Sequence, residues 1–185
     1  QNQGDGKANY GSGSILADSP ITFPGGYKPQ NFDSKFKGSI NLRQSLATSR
    51  NIPAVKAMQI AGVSDTLKTI RRMGNFYYCT QGVEKEVGLS SSIGGCGTLM
   101  VDHVNALASL GRLGVYKPHT SISEVKNTSG QLLQKYKDEQ TQVINPQAAY
   151  IVNDILGDGP IRSRLFGRSI TPVLDAAGIK VAIKT

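Results

Sequence analysis

The 185-residue sequence predicts a mixed α/β chain, and three patterns carry that expectation. Apolar residues recur at helical spacing between residues 42 and 111 and again between 146 and 156. "TSISEVKNTSGQLLQKY" (120–136) reads as two short strands around an Asn-Thr-Ser-Gly turn, and "GIKVAIKT" (178–185) alternates apolar and polar side chains. These periods call for a helical lobe, a hairpin and a closing strand.

Residues 1–38 are rich in Gly, Asn, Asp and Pro and read as loop and extended segments. Leu42 and Leu46 lie one turn apart and open the helical part. "ATSRNIPAV" (47–55) interrupts it. Ser and Asn accept hydrogen bonds from the unpaired N–H groups of a helix start, and Pro53 suits a first turn because its missing N–H has no partner there. The next helix carries Val55 and Met58 to a stop at Gly62. Ser64 or Asp65 is the expected cap of another, with Leu67, Ile70 and Met73 inward and Gly74 past its end. Residues 75–98 read as loop, closing in "GLSSSIGGCGT", where Gly and Ser suit tight packing at a helix entrance better than phosphate binding. Thr98 or its neighbour is the expected cap of a helix to about Gly111, with Met100, Val104 and Leu107 on one apolar face and His103 in a structural role. Asn145 and Pro146 repeat the cap-plus-Pro start, Ala149, Val152 and Leu156 continue that helix to Gly157, and "IRSRLFGR" is a helical turn or two. The last strand sets Ile179, Val181 and Ile183 against Lys180, Ala182 and Lys184, as a half-buried strand does.

A hydrophobic content of 38% and a charged content of 18% suit a globular chain with one core, or a large piece of a bigger domain. No apolar run approaches the roughly 20 residues of a membrane span, and no signal-peptide pattern opens the chain. The net charge of +8 is scattered, densest at Arg162, Arg164 and Arg168, with no interleaved aromatics. It therefore reads as solubility or attraction to an anionic surface rather than nucleic-acid binding. Cys79 and Cys96 lack zinc-site spacing; a disulfide in an oxidising compartment and two quiet thiols are both open.

Two polar clusters can carry chemistry. A Lys on the outer face of a strand can simply be solvated, and the phosphate-loop spacing from Gly178 to Lys184 and Thr185 fails because Ile183 stands where that loop needs Gly. One class of serine acyl-transfer enzymes combines Ser-x-x-Lys, a Ser-x-Asn-like motif and Lys-Thr-Gly. Ser49-Arg50-Asn51 has the second form and Lys184-Thr185 begins the third. Around them, "ILADSPITF", "GYKPQNFDSKFKGSINLRQSLATSRNIPAVKAMQIAGV", "VGLSSSIGG", "LGRLGVYKP" and "NPQAAYIVNDIL" resemble the transpeptidase domain of class A, bifunctional penicillin-binding proteins, in order and approximate spacing, from about Ile15 to Thr185.

The resemblance implies a serine β-lactamase/penicillin-binding-protein-like α/β fold, an antiparallel sheet flanked by helices plus a helical lobe. Residues 1–185 would form a single partial domain with a gap after Tyr10. It implies acyl transfer on the D-Ala-D-Ala end of a peptidoglycan stem peptide. A serine attacks the carbonyl, D-Ala leaves, and an amine of a neighbouring stem peptide takes the acyl group, while β-lactam antibiotics mimic the donor and stall as acyl-enzymes. Ser49 would relay a proton to the leaving amine and Asn51 would hold the bound peptide's backbone. Lys184 would supply positive charge, and Thr185 would hydrogen-bond the substrate carboxylate. No metal, organic cofactor or nucleic-acid partner is implied. Membrane contact would run only through an N-terminal anchor and glycosyltransferase domain, at the extracytoplasmic face of the bacterial cytoplasmic membrane.

The nucleophile is harder to place. Ser34–Lys37 and Ser123–Lys126 match Ser-x-x-Lys literally, but the chemistry needs both residues one turn apart on a helix. The first pair falls in a loop and the second on a strand, where i and i+3 face opposite ways. The expected nucleophile segment, preceding "ILADSPITF", is absent from these residues, so the chain by itself is expected not to acylate. A D-Ala-D-Ala carboxypeptidase, with water as acceptor, and a non-catalytic cell-wall or β-lactam-binding module are the alternatives.

Overall fold

The computed structural model describes residues 10–79, 87–167, 174 and 176–184. Within the segment read as loop, β1 (Ile15–Asp18) and β2 (Gly38–Asn41) pair antiparallel, with Leu16 opposite Ile40 and Asp18 opposite Gly38. The intervening chain turns through a 3-10 segment at Pro24–Gly26 and buries Phe23. The Asn41 side chain then accepts from Gln44 N–H at 2.8 Å and starts α1 (Leu42–Ala47), the role that short polar side chains play at helix starts.

Helix α2 (Asn51–Ala61) is the hub. Ile52, Val55 and Met58, spaced three apart, are buried on one face, which packs against α1, β1, α3 (Val63–Arg72) and a 3-10 turn at Leu89–Ile93. Gly62, at φ 86°, turns the chain between α2 and α3. It also stands at the cap position of α3, so neither Ser64 nor Asp65 serves there. Leu67 of α3 is buried as expected, with Ile70 and Met73 half-buried.

Helix α4 (Met100–Gly111) departs most from expectation. Its cap position is Leu99, the neighbour of Thr98, and the Thr98 hydroxyl donates to Asn75 Oδ1. The apolar stripe is turned outward, with Met100 80%, Val104 58% and Leu107 50% exposed, while Asp102, Asn105, Ala106 and Ser109 are buried. Short polar side chains tolerate that position by bonding backbone: Ser109 Oγ donates to Met73 O at 3.0 Å and Asn105 Nδ2 to Lys117 O at 3.1 Å. His103 Nδ1 lies 3.4 Å from Asn75 Nδ2 and supports the same junction.

A disulfide joins Cys79, just after α3, to Cys96, just before α4. Strands β3 (Val115–Tyr116) and β6 (Thr141–Gln142) pair beside Gly114. That glycine is at φ 88°, and a Cβ on it would lie 2.3 Å from Ile144 O, so no larger residue fits. The hairpin forms from β4 (Glu124–Lys126) and β5 (Leu132–Lys135), its turn tied by Asn127 Oδ1 accepting from Ser129 N and Gln131 N. Asn145 caps α5 (Pro146–Leu156), burying Ala149 and Leu156, and Asp158 caps α6 (Gly159–Phe166). Arg162, read as part of the basic surface, is instead buried and donates to Leu156 O at 2.7 Å; Arg168 lies outside the described residues.

Sheet structure among the described residues is thus three two-stranded antiparallel ribbons beside the helices. The expected closing strand is corrected. Residues 181–184 keep the alternation, Val181 and Ile183 half-buried against exposed Ala182 and Lys184, but Ile179, expected on the inner face, is 52% exposed, and residues 179–184 join no ladder. An Ile183 N–H bond to Leu156 O at 3.1 Å ties them to the end of α5. No helix among the described residues is long and apolar enough to cross a membrane.

Candidate active site

Ser49 sits where α1 ends and α2 has not begun. Ser49 N–H bonds Leu46 O at 3.2 Å and Arg50 N–H bonds Ser45 O at 2.9 Å, so the chain curls back on α1. The curl puts Ser49 at φ 55°, a left-handed conformation that costs a residue with a Cβ roughly 1–2 kcal/mol.

The next residue is anchored. Arg50, with its side chain 1% exposed, donates from Nε to Asp18 Oδ2 at 2.8 Å, from Nη1 to both Asp33 oxygens at 3.0 Å, and from Nη2 to Lys35 O. Asp18, fully buried, also accepts from Lys37 N at 3.0 Å and from Asn31 Nδ2 at 2.7 Å. Hydrogen bonding to Arg50, then to the Lys35 N–H, holds the Asp33 carboxyl below its ordinary range. Asn31 completes the arrangement: its Oδ1 accepts from Asn51 N at 2.9 Å and Ile52 N at 3.4 Å. The cap of α2 therefore comes from Asn31, twenty residues upstream, and not from Ser49 or Asn51. Asn51 is the first residue of the helix, with Nδ2 donating to Gln30 O at 2.7 Å, and Pro53 is the third.

Lys184 approaches from the other end of the sequence. Its Nζ donates to Ser49 Oγ at 2.7 Å, across 135 residues. Partial withdrawal from solvent pushes the Lys184 amine below its ordinary value. Upstream, Lys180 Nζ bonds Asp154 Oδ1 at 2.9 Å, and the other Asp154 oxygen is held by Arg43 of α1, whose Nη1 also reaches Asp158 Oδ2 at 2.9 Å. Arg43 first and Lys180 second lower the Asp154 pKa. Asp154 thus bridges the helix leading to Ser49 and the segment leading to Lys184.

Of the four site residues expected, the structure brings Ser49 and Lys184 into contact and places Asn51 at the start of α2; Thr185 lies outside the described residues. Neither literal Ser-x-x-Lys pair is helical: Ser34 is in a turn at φ 54°, and Ser123–Lys126 runs into β4. No group of three or more His, Cys, Asp or Glu residues gathers to hold a metal among the described residues. Sequence reasoning missed Asp18, Asn31, Asp33 and Asp154, which stand in stretches read as loop or helix surface. Chemically, the site offers a hydroxyl, which donates and accepts at once, against an amine that gives up its proton more readily than an ordinary Lys.

No family model matches the chain. Among curated relatives, penicillin-binding protein 1A of Clostridium novyi is 29% identical over 160 residues, which are 80% of this chain and 18% of that protein. Among solved structures, the penicillin-binding protein PonA1 from Mycobacterium tuberculosis superposes with a TM-score of 0.70 at 21% identity, covering 83% of this chain and 43% of that one, and has also been solved with penicillin V. The D,D-transpeptidase domain of a peptidoglycan glycosyltransferase from Eggerthella lenta matches with a TM-score of 0.63 at 15% identity, over 80% of this chain and 43% of that one. The chain spans less than a quarter of the length of the first curated relatives it matches. The helical lobe around α2 and these likenesses agree: the chain is similar in sequence to penicillin-binding proteins and has the fold of part of their transpeptidase domain.

Proposed function

We propose that this chain contributes one side of a serine D,D-transpeptidase site that cross-links peptidoglycan stem peptides and takes β-lactams as donor mimics. The 2.7 Å contact between Lys184 Nζ and Ser49 Oγ carries the reading. A hydroxyl beside an amine of lowered pKa can hand a proton to the departing D-Ala amine and recover it from the incoming one. Asn51 would hold the peptide backbone, and Lys184 with Thr185 would hold the terminal carboxylate. The attacking serine and its lysine would come from outside the 185 residues, since neither Ser-x-x-Lys match has helical geometry. In that arrangement the serine adds to the donor carbonyl, the peptide C–N bond breaks, D-Ala leaves with the relayed proton, and the acceptor amine takes the acyl group as it loses a proton. The site would work on the extracytoplasmic face of the membrane, with no cofactor.

The test is labelling of the complete protein with a fluorescent penicillin, in the wild type and in Ser49→Ala. A covalent band in the wild type that forms far more slowly in Ser49→Ala, at nearly unchanged melting temperature, supports the relay. A wild type that never labels leaves a non-catalytic binding module, the reading that the missing helical Ser-x-x-Lys favours. Product analysis with a D-Ala-D-Ala peptide separates cross-linking from carboxypeptidase action, the latter yielding free D-Ala without dimer.

A further inference from the structure

We propose that Asp18 and Asp33 are positioning residues for the reaction: gripping Arg50, they hold the preceding Ser49 in the left-handed conformation from which its hydroxyl meets Lys184. The catalytic consequence rests on the function proposed above; the geometric claim does not.

Four observations lead there. First, the strain is local, because Ser49 carries a Cβ in a backbone region that glycine fills without penalty, and such a conformation persists only where neighbours over-determine it. Second, the neighbour is fixed in direction as well as place. A guanidinium is planar with its donors in a rigid fork, and here Nε meets Asp18, Nη1 meets Asp33, and Nη2 meets the Lys35 carbonyl, so the head of Arg50 is held on all three nitrogens. Third, Asp18 couples that grip to the far side of the serine. Its Oδ1 accepts from Asn31, whose own amide oxygen takes the Asn51 and Ile52 N–H groups, so residues 50, 51 and 52 are tied to one buried carboxylate. Fourth, the partners are remote in sequence, Asp18 by 32 residues and Asp33 by 17. Local helix-ending preferences therefore do not account for the anchor. The end of α1 contributes its own part, Ser49 N–H bonding Leu46 O and Arg50 N–H bonding Ser45 O as in a left-handed helix end, and the grip on the Arg50 head adds a long-range hold to that local motif.

A plain structural role would make the same carboxylates matter for stability alone, and the test separates the two. Asp33 is the better target, since its side chain is 21% exposed and its loss leaves Asp18 pairing Arg50. In the complete protein, Asp33→Asn is expected to keep its melting temperature close to wild type. Its acylation rate constant with a fluorescent penicillin should fall about 100-fold, the scale of a reacting group misplaced by about 1 Å, with little change in the non-covalent dissociation constant. Asp33→Glu should restore most of the rate, and Arg50→Lys, which keeps the charge and loses the fork, should not. Crystal structures of wild type and Asp33→Asn give a readout independent of chemistry: the variant should show Ser49 relaxed to negative φ and its Oγ beyond hydrogen-bond reach of Lys184. Ser49 unchanged in the variant overturns the proposal, as does an acylation rate that falls only in step with the melting temperature. A wild type that does not label at all counts against the transpeptidase reading, while the paired structures still decide whether the clamp sets Ser49.

Discussion

The two partners of the 2.7 Å contact are held in opposite ways. Ser49 is placed by a buried clamp in which Arg50 and Asp18 have side chains 1% and 0% exposed. Lys184 is placed by a segment whose ties among the described residues include the Ile183 bond to Leu156 O and the ion pair of Lys180, itself 62% exposed, with Asp154. Removing one member of a buried ion pair strands the other charge in a poor solvent, whereas an exposed pair is screened by water and contributes little. One half of the site is therefore part of the core, and the other is docked onto it. The gap between hydroxyl and amine should respond to the docked half long before the serine side gives way.

The largest effect should come from the clamp. Asp18→Ala leaves Arg50 buried without its Nε partner and is expected to destabilise the fold by about 3–5 kcal/mol, read by denaturant unfolding; a loss below about 1 kcal/mol would remove the contrast. Asp154→Asn should cost little stability but loosen the terminal segment. Its readout is accelerated modification of Lys184 by an amine reagent, against an unchanged Lys68 on the surface of α3 as control. The same carboxylate predicts a pH dependence. Its folded pKa is depressed, so the contribution of the Arg43 and Lys180 bridges is present above the ordinary carboxylate range and is lost as pH falls through the depressed value. The melting temperature of the wild type should fall over that acid window more steeply than that of Asp154→Asn. The smallest effect is one of sign. Because folding lowers the Lys184 pKa, the protonated amine opposes folding at neutral pH, and that penalty is relieved as pH rises from the depressed value toward about 10.4. Lys184→Ala is thus expected to melt no lower than wild type at pH 7, with its advantage shrinking in alkaline buffer; a clear loss of stability would mean that Lys184 is a structural prop.

Much of the scaffold was legible because local chemistry decides it. Asn145 with Pro146 starts α5, Asn127 to Gly130 turns the hairpin, and Leu42 with Leu46 marks α1, each within a few residues of its cause. What failed depends on distant partners. A period of apolar residues in α4 announces a stripe without naming what covers it, and the structure buries Asn105 and Ser109 where the backbone carbonyls of Lys117 and Met73 accept from them. The cap of α2 failed for the same reason, its start being served by Asn31, whereas α4 begins at Leu99, the neighbour of Thr98, as expected. At the site, the resemblance pointed to Ser49 and Lys184. The residues that fix Ser49 could not be read, because Asp18 and Asp33 in a loop-like stretch look like turn formers until Arg50 is seen between them. The terminal alternation was real as a pattern of burial over residues 181–184 but not as a ladder, since pairing needs a neighbouring strand as well as a period.

The Cys79–Cys96 bond has a consequence for where the chain can mature. It closes a ring around the segment carrying Ser91, whose hydroxyl packs 3.3 Å from Met58 Sδ on α2, and Tyr78 stitches the same ring by donating to Ser91 O at 2.6 Å. Closing a loop of that length is worth about 3 kcal/mol where oxidants are present, and in a glutathione-buffered cytosol it is absent. The flank of α2 is therefore finished by the chemistry of the surroundings: a copy retained in a reducing compartment meets quality control with that seam undone.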